Sequence, residues 1–125
     1  MNREIIQQWF EQHLAKPGVL AAGILWPDQT SLSRAFGASW GEKQLSDTWR
    51  GLAGVIDALG LQRIAARRLR WVYERGQVHF FIRPDGVALG ILSGPGHAAS
   101  NLINLLFSEF EQLGRPEATA TALLR

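Results

Sequence analysis

The chain has 125 residues, with 13 Lys+Arg against 11 Asp+Glu, no cysteine, 13 Gly, 5 Pro and 5 Trp. That length fits one domain able to bury about 65% of its extended surface, and a hydrophobic fraction of 46% with 19% charged residues excludes a disordered, solvated chain. The lack of cysteine excludes a disulfide scaffold, thiol catalysis and Cys-ligated zinc or iron–sulfur chemistry. No apolar run approaches the ~20 residues needed to span a bilayer, and Met1 leads into a polar-faced helix rather than a signal peptide. The expectation is a soluble, cytoplasmic single domain over residues 1–114, followed by a tail over residues 115–125.

From Arg3 to Ala15, the residues Ile5, Ile6, Trp9, Phe10 and Leu14 recur at helical spacing. Asn2 is the expected N-cap and Lys16-Pro17-Gly18 the stop. Val19 to Trp26 is almost continuously apolar, as in a strand covered on both faces. The turn Pro27-Asp28-Gln29-Thr30 leads to Ser31–Phe36, whose polarity suits an edge strand. After a loop over Gly37–Gly41, a helix is predicted from Glu42 to Leu59. Its apolar positions Leu45, Trp49, Leu52, Ile56 and Leu59 step by 4, 3, 4 and 3, and Gly60 is the expected stop. Three strands follow, Arg67–Glu74, Gln77–Arg83 and Val87–Ser93, separated by Arg75-Gly76 and by Pro84-Asp85-Gly86. A last helix is predicted from His97 or Ala98 to Leu113, ended by Gly114 and Pro116. The order α-β-β-α-β-β-β-α implies an α+β fold, an α/β/α sandwich around a five-stranded antiparallel sheet.

Few residues invite chemistry. Gly94-Pro95-Gly96-His97-Ala98-Ala99 matches G-x-G-x-x-[GA], but no strand follows the helix it opens and proline removes one amide donor, so a plain strand-to-helix turn is expected. There is no P-loop. His13, His79 and His97 fall on separate elements without metal-ligand spacing and read as surface or helix-start residues. Asp28 and Asp85 sit in turns, where their ordinary role is to shape the turn. The sequence therefore suggests no enzyme, no cofactor and no metal.

Two features stand out. Arg63, Arg67, Arg68, Arg70, Arg75 and Arg83 share a segment with one acid, Glu74, so this segment carries +5 while the rest of the chain carries −3. Interleaved with Leu69, Trp71 and Tyr73, this stripe suits a protein interface, a charge-protected edge or single-stranded nucleic acid. The second feature lies behind the apolar stripe of the middle helix, where Gly51, Gly54 and Ala58 make a small-residue face. Glycine inside a helix costs about 1 kcal/mol relative to alanine, and close approach of a second helix would justify two of them.

The whole order of elements over Asn2 to Leu113 resembles the roadblock/LC7 family, which includes dynein roadblock light chains and a bacterial partner of a Ras-like GTPase. The apolar strand Val19-Leu20-Ala21-Ala22-Gly23-Ile24-Leu25, the turn at Asp28, the strand Val87-Ala88-Leu89-Gly90-Ile91-Leu92 and the Leu102–Leu113 helix carry the likeness. The Trp-bearing basic strand and the loop Gly37-Ala38-Ser39-Trp40-Gly41 depart from it. The resemblance implies a non-enzymatic module that homodimerises through the middle helix and third strand and serves as a platform for a small Ras-like GTPase. On this chain the implied dimer surface is Trp49, Arg50, Gly51, Gly54, Asp57 and Ala58 on the helix, with Arg68, Arg70 and Val72 on the strand. Two alternatives accompany it: a nucleic-acid-binding module using the Arg63–Arg83 stripe, and a small-ligand sensor with a pocket lined by tryptophans.

Overall fold

The computed structural model describes residues 3–36, 41–74, 76–94 and 100–113. Its elements are α1 (Arg3–His13), β1 (Val19–Leu25), β2 (Ser31–Ala35), α2 (Glu42–Leu61), β3 (Arg68–Tyr73), β4 (Gly76–Ile82), β5 (Ala88–Ser93) and α3 (Ser100–Gln112). The five strands form one sheet in the order β2-β1-β5-β4-β3, and every neighbouring pair is antiparallel. The α+β sandwich and the order of elements agree with the sequence reading. The expected Asn2 cap, the Gly94–Ala99 turn beyond Gly94, and the start and stop of the last helix lie outside the described residues.

Period-two alternation divides the core between the two faces of the sheet. On one face, Ala22, Ile24, Leu89 and Ile91 meet Ile6, Trp9 and Phe10 of α1 and Ile103, Leu106, Phe107 and Phe110 of α3. On the other, Ala21, Leu25, Phe80, Ala88 and Leu92 meet Leu45, Trp49, Leu52 and Ile56 of α2. One helix must therefore cover a whole sheet face, and Trp49 supplies the volume. Its indole rests on Gly23 and Gly90, which are paired across β1 and β5. A methyl group at either glycine would overlap the ring. The indole Nε1 donates to Ser33 Oγ of β2 at 3.2 Å, so this buried donor is satisfied.

The middle helix runs past Gly60 to Leu61, two residues beyond the predicted end. Arg63 takes the left-handed conformation, φ 62°, that Gly60 was expected to supply. The Arg63 N–H donates to the Gly60 carbonyl at 2.9 Å and the Ile64 N–H to the Leu59 carbonyl at 2.9 Å, which closes the helix end as a Schellman motif. At the other end, the Gln44 side chain accepts from the Gly41 N–H at 3.1 Å, half of a capping box. Asp28 and Asp85 shape their turns as expected, accepting from the Thr30 and Val87 N–H groups at 3.0 and 3.1 Å.

Polar residues of the β4 region, Gln77, His79 and Arg83, lie inside rather than on the surface. Arg83 is 4% exposed; it donates to the Phe110 carbonyl at 3.0 Å near the end of α3 and pairs with Asp85 at 2.6 Å. His79, expected on the strand surface, is buried, with Nε2 3.4 Å from Ser93 Oγ and no partner for Nδ1 among the described residues. Burial first, then the positive charges of Arg68 and Arg70, push its imidazole down from 6.5 to about 4.

Replacing Gly90 by alanine should lower folding stability by about 3 kcal/mol, because the methyl must displace a ring that has nowhere to go; urea denaturation checks this. The acid side of the stability profile should depend on His79. Between pH 6.5 and about 4 the unfolded chain binds a proton that the folded chain refuses, so stability falls as pH falls through that window and levels off below it. The loss should total about 3 kcal/mol at most, since each tenfold drop in proton affinity on folding is worth about 1.4 kcal/mol. His79→Gln should flatten the profile over the same window, and an unchanged slope would refute the assignment.

Candidate protein-binding interface

With Trp49 facing the sheet, the opposite side of α2 is set. At 100° per residue, Gly51, Gly54, Val55, Ala58 and Leu61 occupy a sector of about 120° on that outer side. Gly51, Gly54 and Ala58 are exposed, and Val55 and Leu61 are 39% and 85% exposed. A Cβ built on Gly51 or Gly54 meets no atom within 4 Å. Packing within the monomer therefore gives neither glycine a reason to be in a helix, unlike Gly23 and Gly90.

Arg50 and Asp57 flank this stripe and both are exposed. Arg50 donates to the Gln29 carbonyl at 3.0 and 3.3 Å and lies 3.6 Å from Asp47, so it ties α2 to the β1–β2 turn. Trp49, placed by the sequence reading on the dimer surface, is 0% exposed and belongs to the core. The apolar stripe that contains it already required this, since one position cannot serve both sides of the helix.

The third strand is an open edge of the sheet. The Ile82 N–H donates to the Arg67 carbonyl at 2.8 Å. In an antiparallel ladder the pairs alternate, so Leu69, Trp71 and Tyr73 direct their backbone groups to β4, whereas Arg68, Arg70 and Val72 direct theirs outward. The side chains divide differently. Arg68, Arg70 and Val72 lie on the α3 face, where Arg68 donates to Asn104 Oδ1 at 2.6 Å and sits 4.8 Å over the Phe107 ring. Leu69 and Tyr73 pack against the core beneath α2, and Trp71 between them is 60% exposed.

The expected surface is thus split by the sheet. Gly51, Gly54 and Ala58 lie on the same side of the sheet as Trp71, not with the side chains of Arg68, Arg70 and Val72, whose backbone groups point out along the edge. The implied dimer surface omitted Trp71, although alternation already grouped it with Leu69 and Tyr73, away from Arg68, Arg70 and Val72. Burial and the neighbouring charge of Arg70 push Arg68 below the usual arginine range. No carboxylate among the described residues pairs with Arg68 or Arg70. Arg83 drops out of the basic surface because it is buried and paired.

Trp9, Trp26 and Trp49 are core residues, and Trp40 lies outside the described residues. Among the described residues, an open cleft of ≈ 460 Å³ between α1 and β2 is lined by Glu4, Gln7, Gln8, Glu11, Leu32 and Arg34, without a tryptophan. His13 stacks on Trp9, with Nδ1 3.0 Å from the Trp9 carbonyl, and His79 lies far away in sequence on β4. Among the described residues, no helix is long and apolar enough to cross a membrane.

No protein-family model matches the sequence, and no curated protein matches it. Solved structures do match in shape. MglB of Myxococcus xanthus superposes with a TM-score of 0.61 at 9% identity, over 74% of this chain and 77% of that one. A roadblock/LC7 domain from Streptomyces avermitilis superposes with a TM-score of 0.63 at 11% identity, over 92% of this chain and 94% of that one. At such low identity the likeness speaks for architecture, and it covers the sheet and helices together. The chain has the roadblock/LC7 fold.

Proposed function

We propose that the protein is a non-enzymatic homodimeric regulator or scaffold for a small Ras-like GTPase, assembled through α2 and the β3 edge. One observation carries the dimer: two glycines within α2 face open space on the side of the sheet where Trp71 stands exposed at an unpaired edge. Each glycine costs about 1 kcal/mol of helix propensity relative to alanine. A helix packed closely against the outer face of α2 offsets that cost, and apolar Val55 and Leu61 would be buried with it. An isologous contact uses the same patch twice, so one small-residue face is enough.

The GTPase half of the reading rests on the roadblock/LC7 fold and on the resemblance in element order. It is also compatible with the described side chains: the hydroxyl–imidazole contact of Ser93 and His79, at 3.4 Å, is buried within the fold rather than open to a substrate. The paired α2 helices would form one continuous platform, and docking on it needs no chemistry from the platform itself.

Light scattering after size exclusion should give a mass near twice 13.9 kDa at tens of micromolar. Gly54→Trp, which meets open space in the monomer, should leave the circular dichroism unchanged and raise the dimer dissociation constant at least about tenfold. A strict monomer, or a dimer indifferent to Gly54→Trp, would overturn the dimer. For the partner, calorimetric titration with a small Ras-like GTPase encoded beside this chain should show saturable binding that differs between its GDP and GTP-analogue states. Absence of binding in both states would remove the GTPase and leave the dimer standing.

A further inference from the structure

On the α1–α3 side of the sheet, the apolar core gives way to polar residues towards one end of β4 and β5. The positions facing that side run Phe81, His79 and Gln77 along β4, and Leu89, Ile91 and Ser93 along β5. Phe81, Leu89 and Ile91 pack in the core, whereas His79, Gln77 and Ser93 are polar and buried. Arg68 and Arg70 flank this row from β3, Arg68 opposite Phe81 and Arg70 opposite His79. Neither meets a carboxylate among the described residues. Arg68 is fixed by neutral groups, Asn104 Oδ1 at 2.6 Å and the Phe107 ring at 4.8 Å, so its position is set while its charge stays uncompensated. Two like charges on one face, one of them partly desolvated, carry a cost that no described acid offsets. The downward push on Arg68, from burial and then from Arg70, expresses that cost.

We infer that Arg68 and Arg70 hold a phosphoryl-type oxyanion on the α3 side of β3, over the buried His79. Same-face neighbours on a strand are about 6.7 Å apart along the chain, so two guanidinium forks can close on one small anion from two directions. A tetrahedral oxyanion has enough oxygens to occupy both forks at once, whereas the two oxygens of a carboxylate fill one. His79 adds a third group. It faces Arg70 across a non-hydrogen-bonded pair of the ladder, where side chains are closest. In the tautomer in which the Ser93 hydroxyl donates to Nε2, at 3.4 Å, the ring carries its proton on Nδ1, which has no acceptor among the described residues. An anion over this corner supplies the negative potential that the imidazole N–H and both guanidinium groups lack. The site uses side chains on the α3 side and leaves the edge backbone and the outer face of α2 untouched, so it does not require the dimer. Soluble phosphates and lipid headgroups present the same phosphoryl chemistry to it.

Inorganic phosphate and sulfate are the probes, sulfate because it stays a dianion where phosphate titrates. At low ionic strength, nuclear magnetic resonance titration should show saturable shifts of the His79 ring and the Arg70 side chain, with a dissociation constant of about 1 mM or tighter. The His13 ring, stacked on Trp9, should stay put. Arg70→Gln, at an exposed position, should leave the circular dichroism unchanged and weaken binding at least about tenfold. Arg67→Gln removes the same charge one residue away, on the opposite side of the strand by alternation, and should change the affinity less than about twofold. Equal losses in the two variants would reveal a diffuse positive field and overturn the site. Shifts that never saturate, or that spare His79, would overturn it as well. Cosedimentation with phosphatidylcholine vesicles containing phosphatidic acid separates the two sources. Retention abolished by Arg70→Gln assigns a lipid headgroup, and no retention beside saturable phosphate binding assigns a soluble phosphate. Light scattering that finds a monomer would leave these expectations unchanged.

Discussion

The structure depends on one contact, the indole of Trp49 laid across Gly23 and Gly90. Those two residues face each other in the two most apolar strands, and their missing side chains make a shallow seat in the middle of the sheet. The seat lets a single helix cover a whole face, because the largest side chain fills the space that several smaller ones would otherwise have to share. The ring also reaches Ser33 on the next strand, so the same residue ties α2 to β1, β5 and β2. Once Trp49 points inward, the rotation of α2 about its axis is set. The side carrying Gly51, Gly54 and Ala58 is then turned outward.

The two edges of the sheet are finished in different ways. At β2, Arg34 bridges to Glu11 of α1 at 3.0 Å, and Ser31 and Ser46 share a hydrogen bond at 2.7 Å, so flanking helices hold the strand on both sides. At β3, Arg68 donates to Asn104 Oδ1 but neither it nor Arg70 meets a carboxylate among the described residues, and an exposed tryptophan and valine stand between them and the turn. Uncompensated charge of one sign discourages indiscriminate strand addition, while exposed aromatic surface invites a particular partner. Both properties fit in six residues because backbone direction and side-chain direction alternate independently of each other's purpose: the arginines offer the edge its hydrogen bonds, and Trp71 offers it apolar area.

Much of this was legible before any fold was built. The helical spacing of Leu45, Trp49, Leu52 and Ile56 placed α2 and named its buried side correctly, and the apolar runs at Val19 and Val87 identified strands covered on both faces. What misled was mostly long-range. Gly60 looked like a helix stop because glycine tolerates left-handed backbone, yet Arg63 adopts that conformation, held by the Leu59 and Gly60 carbonyls. His79 looked like a surface residue because its neighbours are mixed in polarity; in the fold it is buried on a strand paired to β5, against Ser93. Arg83 counted toward a basic stripe by position, but the end of α3 and Asp85 claim it.

The interface shows the same division. Composition and period alone determined an α+β sandwich, a small-residue face on the middle helix and a third strand dense in arginine and aromatics. These are local properties, readable because helix and strand periodicities are fixed by backbone geometry. Tertiary structure decided which strands are edges, which face of β3 adjoins α2, and that Trp71 rather than the arginine side chains lies on the same side of the sheet as the glycine-bearing helix. Sheet order and the assignment of helices to faces arise from contacts between residues far apart in sequence, and no local pattern encodes them.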